Sequence, residues 1–270
     1  MAKRSKTKIQ LRGGAEVEGL REAGAIAADV LKRCGTLVVP GITTGEIDAA
    51  AGRWIREAGA VSAFFGYKMF PGQICISINE EVVHGIGGKR ALLDGDIVKI
   101  DVGIQTRQGW IGDNAKTLAV GRISPEAERL LATTEESLFQ AIDRARAGEY
   151  LATLCSSVEG WVLPRGYTVV KQFVGHGVGR KLHEEPQIPN YWDPEEMRNR
   201  HFKNPRLEPG MVLAIEPMVN AGTDEILILD DKWTVITGDR ALSAHFEHTV
   251  LVTEGDPEIL TPRERSYPVK

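Results

Sequence analysis

The chain has 270 residues and a formal net charge of −4, with 42% hydrophobic and 26% charged residues. That is enough for one large domain or two small ones, in the composition range of an ordinary soluble globular protein. No apolar run approaches the roughly 20 residues of a membrane span, and the negative balance excludes a whole-surface attraction to nucleic acid.

The chain opens on a basic tail, residues 1–8, in which Lys3, Arg4, Lys6 and Lys8 meet no acidic residue. The tail lacks the apolar core of a signal peptide. It reads as a solubilising end, with transient contact to RNA or the ribosome as the functional alternative. Three cysteines, Cys34, Cys75 and Cys155, are odd in number and far apart. They argue against a disulfide framework and for a reducing compartment, so the expected location is the cytoplasm.

From Glu16 to about Cys34, apolar residues Val17, Leu20, Ala23, Ala27, Val30 and Leu31 recur at helical spacing. Pro40-Gly41 breaks the chain. Thr43 and Glu46 then have the spacing of a capping box, opening a helix to about Ala58 with Gly59 as its C-cap. Ile74 to Ile78 is a short β-branched strand. Asp96 to Ile104 and Trp110 to Val120 are two more, and the polar, glycine-containing link between them predicts a hairpin. Ser124-Pro125 is an N-cap followed by a first-turn proline, predicting a helix to about Ala147. A further helix covers about Leu151 to Leu163. Strands follow over Thr168–Val174, Met211–Val219, Glu225–Leu229, Trp233–Thr237 and Phe246–Thr253.

The order is two helices then strands, twice over, and two short matches mark it as a repeat. His84-Gly-Ile-Gly returns as His176-Gly-Val-Gly, 92 residues later. Gly95-Asp-Ile-Val-Lys-Ile-Asp101 returns as Gly210-Met-Val-Leu-Ala-Ile-Glu216, 115 residues later. The difference of 23 fits an insertion, and Glu184 to Leu207 is a long polar stretch with four prolines. The expected class is α+β: two ααβ halves related by a pseudo-twofold axis around a curved antiparallel sheet, with helices on its outer face. No linker-like stretch divides the halves, so residues 9–270 are expected to form a single domain.

Four carboxylates sit where apolar strands or their edges should be: Asp101, Asp113, Glu216 and Glu247. An unpaired buried carboxylate costs several kcal/mol or more. Lys99 and Lys116 are near in sequence, but strand alternation puts only Lys99 on the face of Asp101. Lysine pairing does not neutralise four sites; divalent metal does. Four carboxylates and one neutral imidazole form an oxygen-rich set suited to two bridged metals such as Mn, Fe, Co or Zn. Such a pair activates water for hydrolysis of a carbonyl or phosphoryl bond. Two histidines lie in the glycine-rich stretch Gly175–Pro186. His176 and His183 are seven apart, which is not the spacing of a zinc-protease helix pair.

These residues, in this order, resemble the type I methionine aminopeptidases, which have the pita-bread fold. The resemblance runs from about Lys8 to Thr253. It rests on Cys75-Ile-Ser-Ile-Asn-Glu, Val83-His-Gly, Gly95-Asp-Ile-Val-Lys-Ile-Asp-Val, Gly112-Asp113, Gly175-His-Gly-Val-Gly-Arg, His183-Glu-Glu-Pro, Ile215-Glu-Pro-Met and Phe246-Glu-His-Thr. It implies that Asp101, Asp113, His176, Glu216 and Glu247 hold two divalent metals, with Asp113 and Glu247 bridging. A hydroxide between the metals would attack the carbonyl after an N-terminal methionine. His183 would bond the carbonyl oxygen, His84 would contact the scissile nitrogen, and Glu216 would shuttle the proton. The methionine pocket would be walled by Phe65, Tyr67, Phe70, Cys75, Leu182 and Trp233, with a narrow entrance selecting a small second residue. The Asn79 carbonyl would help hold a structural monovalent cation. The implied partner is a nascent polypeptide beginning with Met, met by a monomer that binds no membrane and no specific nucleic acid. His201, His245 and His248 are expected to be surface or structural.

Three departures are visible. Asp101 and Asp113 are twelve apart, one more than is common in the family, so register must be restored in the turn or by a bulge. Gly103 stands where a threonine is frequent, and Asn114-Ala115 replaces the usual threonine with a small polar neighbour. Rival readings fit less well. Proline-specific peptidases of this fold carry a large extra N-terminal domain. Type II methionine aminopeptidases carry an insertion between the last two glutamates, which here are only 31 residues apart. A binding protein that had lost catalysis would lack ligands.

Overall fold

A computed structural model describes residues 8–268. Of the basic tail, residues 1–7 lie outside the described residues, and Lys8 is exposed. The first half begins with helices α1 (Ala15–Thr36) and α2 (Thr44–Glu57). The α2 start is the expected capping box: Thr43 Oγ1 accepts from Glu46 N at 3.2 Å, and the Glu46 carboxylate accepts from Thr43 N at 2.9 Å. Strands β1 (Val61–Ser62), β2 (Cys75–Ile78), β3 (Ile97–Gln105) and β4 (Ile111–Ala119) follow. All pair antiparallel, with β3 between β4 on one side and β1 and β2 on the other.

The second half repeats the order. Helix α3 (Pro125–Ile142) is capped by Ser124 Oγ, which accepts from Ala127 N at 3.2 Å, and α4 spans Leu151–Val162. The strands are β5 (Thr168–Val169), β6 (Gly175–Gly177), β7 (Glu184–Ile188), β8 (Val212–Ile215), β9 (Met218–Asn220), β10 (Ile226–Ile228), β11 (Val235–Thr237), β12 (Ser243–His245), β13 (His248–Leu251) and β14 (Glu258–Ile259). They form a five-stranded sheet in the order β14-β13-β8-β6-β7, a three-stranded sheet β12-β9-β5 and the pair β10-β11.

Burial follows the same division. One core joins α1 and α2 to the first sheet through Leu20, Val30, Ile47, Ile55, Ile76, Ile100 and Val102. The other joins α3 and α4 to the second half through Leu130, Leu138, Leu154, Leu213, Phe246 and Val250. They interlock: Ile97 of β3 packs in the second core, and Val212 of β8 and Leu251 of β13 pack in the first.

The strands of the second half depart from expectation in one respect that matters for the site. The continuous strand expected over Met211–Val219 is broken into β8 and β9 at Glu216-Pro217, where proline has no N–H to continue the ladder. The strand expected from Phe246 is preceded by β12, and the chain bends at Phe246-Glu247 before β13. β9 pairs with β12 and β8 with β13, so the two bends face each other. The expected strand Thr168–Val174 keeps only β5. The polar stretch after Glu184 is built of β7 and the short helix α5 (Pro194–Asn199), anchored by buried Tyr191, Met197 and Leu207.

Two helical glycines predict opposite signs. A Cβ on Gly24 of α1 would lie 2.1 Å from the Leu260 carbonyl oxygen, whereas one on Gly160 of α4 meets nothing within 4 Å. Gly160→Ala is expected to stabilise by about 0.5–1 kcal/mol through helix propensity. Gly24→Ala is expected to destabilise by about 1–3 kcal/mol through overpacking. Denaturant unfolding of both variants checks the signs.

Candidate active site

The β3–β4 hairpin sets the first two carboxylates. Its register is unbroken from Ile97↔Ala119 to Gln105↔Ile111, with Asp101 opposite Ala115 and Asp113 opposite Gly103. The aspartates are therefore diagonal neighbours on one face. The extra residue between them is absorbed in the turn, where Thr106 N donates to Trp110 O at 2.9 Å and Gly109 takes φ 86°; no bulge is needed. Glu216 and Glu247 sit at the two facing bends of the second half. Glu247 N donates to Ala115 O at 2.9 Å, and Thr249 Oγ1 donates to Asp113 O at 2.7 Å. These bonds stitch β13 to β4 and bring the four acids together.

Asp101, Asp113 and Glu247 each offer an oxygen within 4.8 Å of the others. His176 Nε2 lies 3.5 Å from Glu216 Oε1 and 3.9 Å from Asp113 Oδ2. Its Nδ1 faces the Gly177 carbonyl at 3.0 Å. A carbonyl only accepts, so Nδ1 carries the hydrogen and the Nε2 lone pair faces the acids. Burial pushes the His176 pKa down to about 3, keeping the ring neutral.

The acids are in the reverse situation. Burial, reinforced by Asp113, pushes Asp101, Glu216 and Glu247 well above the usual carboxylate range, and burial raises Asp113 to about 7. Asp101 Oδ1, Asp113 Oδ1 and Glu247 Oε1 are buried without a hydrogen-bond partner. Lys99, the cation that alternation put on this face, does not neutralise them; its Nζ donates to Asn79 O at 2.7 Å and Ser243 O at 2.9 Å. Unmatched buried oxygens beside a neutral imidazole lone pair fit divalent metal. The monovalent cation expected at Asn79 fits poorly, because Lys99 holds that carbonyl.

Beside the acids is a cavity of about 240 Å³, below the roughly 300–1,000 Å³ of drug-sized pockets. Tyr67, Phe70, Cys75, Leu182 and Trp233 line it with His84 and His183. Phe65 does not: it is 60% exposed, and the buried neighbour Phe64 takes the place assigned to it. The Ser62 hydroxyl accepts from both Phe64 N and Phe65 N, in a turn that sends the first ring inward. Gly103 gives that ring room, since a Cβ there would lie 2.3 Å from Phe64 Cε1. A glycine inside a strand signals such a close approach, and this was the signal available in the sequence.

Ring contacts fix the histidines over the acids. Tyr67 Oη shares a 2.9 Å hydrogen bond with His183 Nδ1, and the His176 and His183 rings are 4.3 Å apart. His84, at φ 61°, packs edge-on against Phe173 at 5.2 Å and Trp233 at 6.2 Å. Burial lowers the pKa of His84 to about 4 and also lowers that of His183, with Lys68 adding to both.

Two residues near the acids were not singled out from the sequence. His245 is buried, not on the surface, and its Nε2 lies 3.8 Å from Glu216 Oε2. It is two residues before Glu247, and alternation carries both toward the same side. Arg263 donates to Glu247 O at 2.8 Å and Ala115 O at 3.0 Å. Nothing local marks an arginine near the end of the chain for that task. His248 turns away to Thr261 Oγ1 at 2.9 Å, and His201 lies in an exposed turn.

Residues 18–254 match the model of metallopeptidase family M24. The chain is 48% identical over 242 residues to methionine aminopeptidase 1 of Bacillus subtilis, covering 90% of this chain and 94% of that one. It is 45% identical over 253 residues to a methionine aminopeptidase of Clostridium perfringens, covering 94% and 98%. The solved methionine aminopeptidase of Thermotoga maritima superposes with a TM-score of 0.89 at 38% identity, covering 95% of this chain and all 100% of that one.

The Phe64–Gly103 contact predicts a coupled pair. Gly103→Thr alone should destabilise, because the new side chain meets the Phe64 ring. Phe64→Cys with Gly103→Thr should recover much of the loss, a coupling on the order of 1–3 kcal/mol in a double-mutant cycle. Additive costs would show that the two do not share the space.

Proposed function

The chain belongs to metallopeptidase family M24, and from that premise we propose that it removes the N-terminal methionine from nascent proteins and peptides, favouring a small second residue. One observation carries the reading: a small, largely apolar cavity opens directly onto four carboxylates and a neutral imidazole, a donor set that suits divalent metal. Asp101, Asp113, His176, Glu216 and Glu247 would hold two divalent ions of the Co, Mn, Fe or Zn class. Bound there, the metals would supply an activated water and polarise the scissile carbonyl.

The remaining work falls to the chain's own groups. Tyr67, Phe70, Cys75, Leu182 and Trp233, with Phe64, receive the unbranched thioether, whose polarisable sulfur suits aromatic edges. The wall also excludes water from the reacting bond. His183, its ring set by the Tyr67 hydroxyl, holds a hydrogen bond on the carbonyl oxygen as charge develops there. His84 contacts the scissile nitrogen and Glu216 moves the proton toward it. Burial keeps both histidines neutral near pH 7, so each presents one N–H and one lone pair. The protein would act as a cytoplasmic monomer, a setting consistent with three free, buried cysteines. The basic tail would touch the ribosome transiently.

The reading is tested with Met-Gly and Xaa-Pro peptides after chelation and reloading. Release of methionine should vanish with the metal and return with at least one of Co, Mn, Fe or Zn, while Xaa-Pro bonds stay intact. Glu216→Gln should lose about 100-fold or more in kcat. His183→Ala should lose about 100- to 1,000-fold, and Tyr67→Phe less than that. Methionine release by none of the reloaded forms would overturn the activity; a fully active Glu216→Gln would overturn the proton route.

A further inference from the structure

Lys99 is 2% exposed, and a buried ammonium must be matched. It stands on β3 two residues before Asp101, and its Nζ donates to Asn79 O at 2.7 Å and to Ser243 O at 2.9 Å. Asn79 O also accepts from Ser243 N at 3.0 Å. A carbonyl oxygen has two lone pairs, and both are taken. The turn carrying Asn79 is fixed on its other sides. Asn79 has φ 52°, its Nδ2 donates to Asp96 Oδ1 at 2.8 Å, and its Oδ1 accepts from Ile97 N at 3.0 Å. The carbonyls therefore converge on one point, and that point holds a positive charge covalently tied to the chain.

The monovalent cation that the sequence resemblance implied at Asn79 does not fit alongside this ammonium. We propose that Lys99 replaces it: a built-in cation that clamps the turn after β2 to the start of β12. Three segments meet at Nζ. β3 leads to Asp101, the Asn79 turn follows β2, and Ser243 begins the strand that leads to Glu247. The clamp thus ties an acid of the first half to an acid of the second without contacting either. Burial acts against the charge, and even with Glu81, Glu80 and Asp96 pulling it up the Lys99 pKa is lowered to about 7. A tethered ion differs from a free one in mass action. A free ion stabilises by an amount that grows with its concentration; a side chain does so at any salt composition.

The experiment is thermal unfolding of the metal-loaded protein in NaCl, KCl and N-methylglucamine chloride at equal ionic strength. Wild type should melt within about 1 °C in all three. Lys99→Ala opens the space and leaves the carbonyls facing it. In N-methylglucamine it should melt lower than wild type, and Na+ or K+ should restore about 3 °C or more, saturating with concentration. Lys99→Met fills the space without charge and should melt lower with no rescue. A saturating rise of the wild-type Tm in NaCl or KCl would overturn the proposal. So would an Ala variant equally destabilised in all three salts, since its carbonyls would then bind no ion. If Lys99→Ala does not fold, the wild-type salt series decides alone. Melting is read without any peptide substrate, so failure here leaves the peptidase reading untouched, and the reverse.

Discussion

Gathering four carboxylates, Asp113 and Glu247 buried and Asp101 and Glu216 half-buried, around one cavity is a constraint that much of this structure serves. Each would cost several kcal/mol if left alone in an apolar interior; burial drives all four pKa values upward, and repulsion from neighbouring acids adds to it at Asp101, Glu216 and Glu247. Among the described residues no lysine or arginine pairs with them in a salt bridge. Arg263 gives its protons to the backbone carbonyls of Glu247 and Ala115. A divalent metal would balance their charge; without one, the raised pKa values favour protonation instead.

The two halves deliver their acids by different means. In the first half a regular hairpin puts two short aspartates diagonally on one face. In the second half the strands break at Glu216-Pro217 and at Phe246-Glu247, and the longer glutamates project from facing bends. Regular pairing fixes spacing, while a break lets a side chain leave the pleat. Two bonds across the seam between halves involve backbone groups of these acids: Glu247 N donates to Ala115 O, and Thr249 Oγ1 donates to Asp113 O. Placement of the acids and cohesion of the two cores consequently use the same few residues.

Around the acids, burial does the chemical sorting. It holds His176 and His84 neutral near pH 7, so one presents a lone pair to the acids and the other a ring to the cavity. The cavity wall shows how packing compensates. Gly103 removes a side chain from β3 and Phe64 fills the volume. Lys99 follows the same logic with charge, putting an ammonium where two carbonyls converge.

Features set by local chemistry were legible in the sequence. Helix spacing, the Thr43–Glu46 cap and the Ser124-Pro125 start depend on residues a few positions apart, and the ααβ repeat on short motifs that recur along the chain. An acid inside an apolar strand announces an unpaid desolvation whatever surrounds it, so Asp101, Asp113, Glu216 and Glu247 stood out before any contact was known. Tertiary structure alone decided what depends on which distant segments meet. Strand alternation put Lys99 on the face of Asp101, yet only the approach of Ser243, 144 positions away, sends its Nζ to backbone carbonyls instead. Inward choice of Phe64 over Phe65 was decided by free space over Gly103. Position along a chain fixes which groups can share a face; it carries no measure of the volume or charge that the rest of the fold brings against that face.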